Sequence, residues 1–315
     1  MRTLIFLALL LSATAADAAP GCRVVNTLPA FARFSAATRT FTPDQRADLF
    51  VRDLAPRLSA YYLVGGITRP EELREPARLF FAGGAAQPGL RPFDPAAFAV
   101  MQRLIGRDFA GMQRRFLAAF PDFRCTSDIV FGVSLGRFDG AMIPGPSRST
   151  LLFGVDVISR LQSERTLPVL IHHEMFHLYH RQLQPAAFAR DPLPVWWGAW
   201  SEGLAAYASG RLNPGVPAAA LFGTPPDLPE RIAARRAETA GLVLDNLDAT
   251  GETYAKLFTA NDSFPGYPPR AGYWFGYRLA VELGRTRSVT ELALLPPEDV
   301  RTSLEELLRQ ESRAP

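Results

Sequence analysis

Residues 167–184 read LPVLIHHEMFHLYHRQLQ, and the reading of the whole chain turns on them. They hold all four histidines of the 315-residue sequence: His172, His173, His177 and His180. Pro168 suits the first turn of a helix, and no further Pro or Gly interrupts the stretch up to Gln184. Residues four apart on a helix share a face, with Cβ atoms about 5–6 Å apart. His173 and His177 can therefore converge on one ion, at Zn–N distances of about 2.0–2.1 Å. Glu174, one residue on, can reach a water at such an ion without being a ligand, and the pattern is HExxH. Val169, Leu170, Phe176 and Leu178 predict a largely buried helix. Histidines in such a helix are costly unless hydrogen-bonded or metal-bound. His172 points about a quarter-turn away from His173 and is read as structural. His180, three residues past His177, is read as a neighbour of the ligands or a cleft residue.

A catalytic zinc site takes three protein ligands and keeps a fourth position open. Downstream, residues 195–209 read VWWGAWSEGLAAYAS, and Glu202 is the candidate third ligand. Gly203, Ala205 and Ala206 are small enough for a second helix to pack closely on the first, and Gly210 suits its end. Trp196, Trp197 and Trp200 are expected in the core.

Upstream, Ile129, Phe131, Val133 and Leu135 alternate with other residues, as do Leu151, Phe153, Val155 and Val157. A period of two predicts two strands, with residues 144–147 as a Pro-Gly loop between them. A third strand is expected near Arg23, Val24 and Val25. Thr42, Pro43 and Gln45 form a helix-start signal, with Pro56 as an early stop. Asp94-Pro95 opens a helix expected to run to about Phe120, with Gly106 and Gly111 as two weak points. From Leu167 onward the pattern is helical, broken by Pro-rich stretches at 213–229 and 261–269. The expected class is α+β, mostly α, with a small sheet preceding the HExxH helix. A working division is a targeting segment at 1–18, a mainly helical region at 19–123 and a catalytic region at 124–315.

The three stretches HHEMFHLYH, WSEGLAAYA and GYWFGYRLA together resemble a bacterial family of predicted zinc-dependent proteases. The HExxH followed by a Glu on a second helix is similar to the gluzincin pattern. The resemblance implies a zincin-like catalytic domain, a bound Zn2+ and hydrolysis of a peptide or protein substrate. By it His173, His177 and Glu202 are metal ligands and Glu174 is the general base. One departure stands out: gluzincins often carry an acid four residues after the third ligand, and Ala206 stands there. Asp156 and Asp191 are the candidate acids to orient the histidines instead. Tyr273 and Tyr277, four apart on an expected helix, are candidate donors to a developing oxyanion, with aromatic core as the competing reading. Two other functions fit the same residues: a zinc hydrolase acting on a non-peptide amide or ester, and a metal-binding or interaction module without catalysis.

The net charge is +3, carried almost wholly by scattered arginines, so no nucleic-acid footprint is expected. Arg2, the apolar run Leu4 to Leu11 and Ala16-Asp17-Ala18 read as a cleavable signal peptide, implying export to the periplasm or beyond. No later apolar stretch is long enough to span a bilayer. The two cysteines, Cys22 and Cys125, are expected to form one disulfide, with lipid attachment at Cys22 as the other reading.

Overall fold

Four short strands and the helices around them follow from where the chain gathers its apolar and aromatic residues. The computed structural model describes residues 22–58, 67–84, 90–143, 149–223, 227–260 and 264–313. The expected signal peptide and the 144–147 loop lie outside these residues.

The strands are β1 (Arg23–Asn26), β2 (Asp128–Gly132), β3 (Gly140–Ile143) and β4 (Thr150–Gly154), in the order β1-β2-β4-β3. β1, β2 and β4 run parallel, and β3 lies antiparallel on β4 as an edge. Parallel strands covered on both faces read as continuous apolar runs, and β2 and β4 are buried along nearly their whole length. Phe131 and Phe153 stack across them at 5.2 Å. β1 is more exposed and is held at its start by the Cys22–Cys125 disulfide and by the Arg23–Asp128 ion pair. Both links, and the β1–β2 pairing itself, cross the 123/124 position of the working division.

Between β1 and β2 run helices α1 (Leu28–Ala37), α2 (Pro43–Leu49), α3 (Arg74–Phe81) and α4 (Pro95–Ala119). The Thr42–Gln45 capping box is present, and after Leu49 the chain continues as a wide turn and then a tight one to Leu58. The Asp94 side chain caps α4 by accepting from the Ala96 amide at 2.8 Å. α4 passes unbroken through Gly106 and Gly111 because Phe98, Met101, Ile105, Phe109, Met112 and Phe116 bury one continuous face. Tertiary packing of that stripe outweighs the roughly 1 kcal/mol each glycine costs a helix.

After the sheet come α5 (Val155–Leu161), α6 (Leu167–Leu183), α7 (Pro185–Phe188) and α8 (Val195–Leu212). They are followed by α9 (Leu228–Ala234), α10 (Arg236–Asp245), α11 (Gly251–Phe258), α12 (Ala271–Leu283), α13 (Val289–Ala293) and α14 (Pro297–Ser312). α8 is the central helix, buried on almost every side, with α6 packed on one flank and α12 on another. Its contact with α12 is backbone on backbone. A methyl at Gly203 would sit 2.5 Å from Gly276 Cα, and one at Gly276 would overlap the Ala199 carbonyl. No described helix is long and apolar enough to cross a membrane.

Two expectations change. The strands stop at Gly132 and Gly154, short of the expected ends. Val133 and Leu135 lie in the following loop, and Val155 and Val157 open α5. The apolar alternation runs on because every residue of 155–160 is buried, so a helix there looks like a strand to a period-two count. The second change is β3, four residues of GAMI too short to show any period.

Candidate metal centre

α6 places His173 and His177 on the face that meets α8, and α8 brings Glu202 to them. His173 Nε2 lies 3.1 Å from Glu202 Oε2, and His177 Nε2 lies 3.3 Å from the same oxygen. The two Nε2 atoms are 3.1 Å apart. Ligands about 2.0–2.1 Å from a tetrahedral ion stand roughly 3.3 Å from one another, so this triangle has the spacing that one zinc-sized ion demands. The three residues form a His-His-Glu cluster that could hold a metal ion.

Burial pushes the Glu202 carboxyl upward, but the two histidines more than reverse this and hold it well below the usual carboxylate range. For His177, burial acts downward, and the Glu202 and Glu174 carboxylates outweigh it, leaving the imidazole raised. Ser201 Oγ lies 3.3 Å from His177 Nδ1. With Nε2 facing a metal, Nδ1 carries the proton and donates it to that hydroxyl, which fixes both the tautomer and the ring.

Glu174 faces the same cleft from α6, beneath edge strand β3. A methyl at Gly140 would come within 2.8 Å of the Glu174 carboxyl carbon, so glycine there is what lets the strand lie over the acid. Burial raises the Glu174 pKa, and the two histidines only partly offset this. The cleft has a volume of about 300 Å³ and is walled by β3, α6, α8 and α12.

Tyr273 on α12 lies in this cleft with its ring stacked on His173, centroids 6.2 Å apart. Burial, reinforced by the charge of Glu202, pushes its hydroxyl well above the ordinary range, so it stays protonated. Tyr277 is elsewhere: it packs on Phe222 at 5.1 Å and Tyr207 at 6.4 Å and does not line the cleft.

His172 is bound on both ring nitrogens. Nε2 donates to the Met112 carbonyl at 3.0 Å, and Nδ1 accepts from Asn213 Nδ2 at 2.8 Å. That pairing suits a neutral ring, and burial pushes its pKa down. His180 lies outside the cleft, fully buried against Phe188 and Trp197, and neither ring nitrogen has a partner. Burial depresses its pKa to about 3. Asp156 does not orient a ligand. It is fully buried and accepts from the Ser134 and Gly136 amides at 2.6 and 2.7 Å, tying down the loop after β2. Asp191 is exposed on the loop between α7 and α8.

Sequence reasoning passed over four cleft residues: Ser201, Tyr254, Arg181 and Arg270. Ser201 was findable, since it adjoins Glu202 and a metal histidine needs a partner for its second nitrogen. Tyr254, on α11, reaches the site only through the fold. Its hydroxyl is pushed upward by burial and by Glu202. No family model, curated protein or solved structure gives a significant match to the chain.

Proposed function

We propose that the protein is an exported zinc peptidase with a gluzincin-like catalytic site. The observation that carries this reading is the convergence of His173, His177 and Glu202 within 3.3 Å of one another, with Glu174 unligated in the same cleft. Two imidazoles and one carboxylate are the donor set of a catalytic zinc that keeps a position open. Zinc held there would supply Lewis acidity, polarising the scissile carbonyl and acidifying the attacking water.

Glu174 takes the proton of that water and passes it to the departing amine. A raised pKa suits this double duty, because the carboxyl must hold a proton between the two transfers. Tyr273, kept protonated, donates a hydrogen bond to the oxygen that gains charge as the carbonyl is attacked. The outer edge of β3 supports a peptide as substrate. Among the described residues this strand pairs only with β4, and its residues Gly140, Ala141 and Met142 line the cleft beside Glu174. An extended chain can add to such an edge through main-chain hydrogen bonds. Export is supported by the disulfide, which belongs to oxidising compartments and engages the Cys22 sulfur that lipid attachment would need.

Metal analysis of the purified protein tests the reading. The expected result is one zinc per chain, lost in His173→Ala, His177→Ala and Glu202→Ala. Glu174→Gln should keep the zinc and lose turnover of a peptide library. A protein that takes up no zinc, or an E174Q variant of undiminished activity, overturns it.

A further inference from the structure

The cleft contains a cation that this mechanism does not use. Arg270 lines it beside Tyr273, with the guanidinium carbon 4.6 Å from the centre of the Tyr273 ring. That ring lies 6.2 Å from the ring of His173. Arg270 Nη1 donates to the Phe222 carbonyl at 2.7 Å. Its Nε is buried with no hydrogen-bond partner, and no carboxylate among the described residues pairs with the guanidinium. Other arginines of this protein find acids: Arg278 reaches Glu311, Arg301 reaches Asp248 and Arg107 reaches Glu164.

The vacant part of Arg270 is specific. With Nη1 engaged, the Nε–Nη2 edge remains, and this edge binds a carboxylate through two parallel hydrogen bonds. A buried donor left without a partner is costly, which favours a ligand that fills it. The backbone points the same way. Arg270 sits in the left-handed region at φ 50°, ψ 30°, a conformation glycine adopts more easily. It is held there by its amide bonding the Thr259 carbonyl at 2.9 Å. Side chains kept on strained backbone cluster at ligand clamps. A second arginine, Arg181, lines the same cleft four residues after His177, stacked 4.8 Å over Phe188. The remaining cleft acid, Asp139, already accepts from the Gly140 amide at 2.9 Å.

We propose, resting on the peptidase reading above, that Arg270 receives a carboxylate of the substrate. An extended peptide advances about 3.3–3.6 Å per residue, so the steps from His173 through Tyr273 put this anchor within roughly three residues of the scissile bond. Two sources supply that chemistry: the free carboxyl at a peptide C-terminus, and the side chain of Asp or Glu. The first makes the enzyme act near chain ends, and the second makes it select acidic sequences.

The test is binding to the full-length, zinc-loaded protein carrying Glu174→Gln, read by calorimetry. The probes are N-acetylated tetrapeptides in matched pairs: C-terminal acid against carboxamide, and internal Glu against Gln. One pair should show a preference for the carboxylate on the order of ten- to a hundred-fold in Kd, the range of a charge-assisted bond. Adding Arg270→Gln should bring that ratio close to one, and Arg270→Lys should restore part of it. Retained zinc verifies that each variant is folded. A carboxylate binding the zinc itself would leave the ratio unchanged in R270Q, and that result overturns the proposal. So does a ratio near one in both pairs before Arg270 is altered. If the unmutated protein cuts none of these peptides yet the preference appears and vanishes with Arg270, the anchor stands and the peptidase reading falls.

Discussion

Gly203→Ala tests whether the close crossing of α8 and α12 builds the metal centre. Ala has the higher helix propensity, so in an open helix this change would stabilise by about 1 kcal/mol. Here the new methyl would lie 2.5 Å from Gly276 Cα and overlap the Gly276 carbonyl carbon and the Tyr277 amide nitrogen. Carbon atoms rest at about 3.5–4.0 Å, so the helices must part by roughly 1 Å or more. The opposing atoms are all backbone and cannot turn aside. Overpacking of this kind costs about 1–3 kcal/mol and occasionally more, and rigid backbone puts this site at the upper end. Subtracting the propensity gain leaves a net loss of about 2 kcal/mol. Glu202 is the adjacent residue and must move with the helix, so zinc affinity should fall by at least about ten-fold, as misplaced ligand geometry does elsewhere. Gly241→Ala is the internal control. It lies mid-helix in α10 with no atom within 4 Å of the new methyl, and should stabilise by about 0.5–1 kcal/mol. Urea unfolding and competitive zinc titration read both quantities. If G203A matches G241A in stability and binds zinc like the parent, the crossing does not set the site and the reasoning fails.

Ser201→Ala removes the partner of His177 Nδ1 and should weaken zinc binding about ten-fold with little change in stability; an unchanged Kd would assign the serine no role in orienting the ring. His180 has its pKa lowered from 6.5 to about 3 by burial, so the folded state stays neutral where the unfolded chain takes up a proton. Its contribution to stability is complete above the unfolded pKa and is lost as pH falls through the window from 6.5 to about 3. At pH 5 the loss is about 2 kcal/mol, and His180→Leu measured with chelator present should flatten the stability curve between pH 7 and 5 by that amount; an unchanged slope would mean the ring is protonated in the fold. Cys22→Ser with Cys125→Ser opens a link spanning 103 positions and should cost up to about 4–5 kcal/mol in urea unfolding, whereas no loss would mean that tethering β1 is irrelevant to the fold.

What the sequence makes legible is what repeats at a fixed offset. The i, i+4 pair His173 and His177 fixes a helix face, and α4 declares its ends through Asp94 and its apolar stripe. Glu202 is nearly as readable, because Gly203, Ala205 and Ala206 after it mark a helix made for close packing. Elements that long-range contacts define are not legible. β3 has no period of its own and exists because β4 offers an edge for it. The helical start at Val155 escapes notice because burial on all sides erases the difference between a strand and a helix. Tyr273 and Tyr277 look equivalent in sequence, yet in the fold one ring lies beside His173 and the other, a turn further along α12, beside Phe222. Arg270 carries no sequence signal, because what sets it apart is its place in the cleft beside Tyr273.

With alanine at 206, the orientation of the two histidines falls to other residues of α8. Successive residues on α8 point about 100° apart, so Ser201, Glu202 and Gly203 address three different neighbours. Ser201 meets His177, Glu202 closes the metal triangle and Gly203 admits α12. Residue 206 is four positions after Glu202 and three after Gly203, so it lies between the faces that those two residues address. Ala206 is fully buried there. A carboxylate in that place would be desolvated, which is costly unless it finds a partner. The group that meets His177 is the hydroxyl of Ser201. A hydroxyl partner raises the basicity of the imidazole less than a carboxylate would, which predicts a weaker zinc site with a fixed ring geometry.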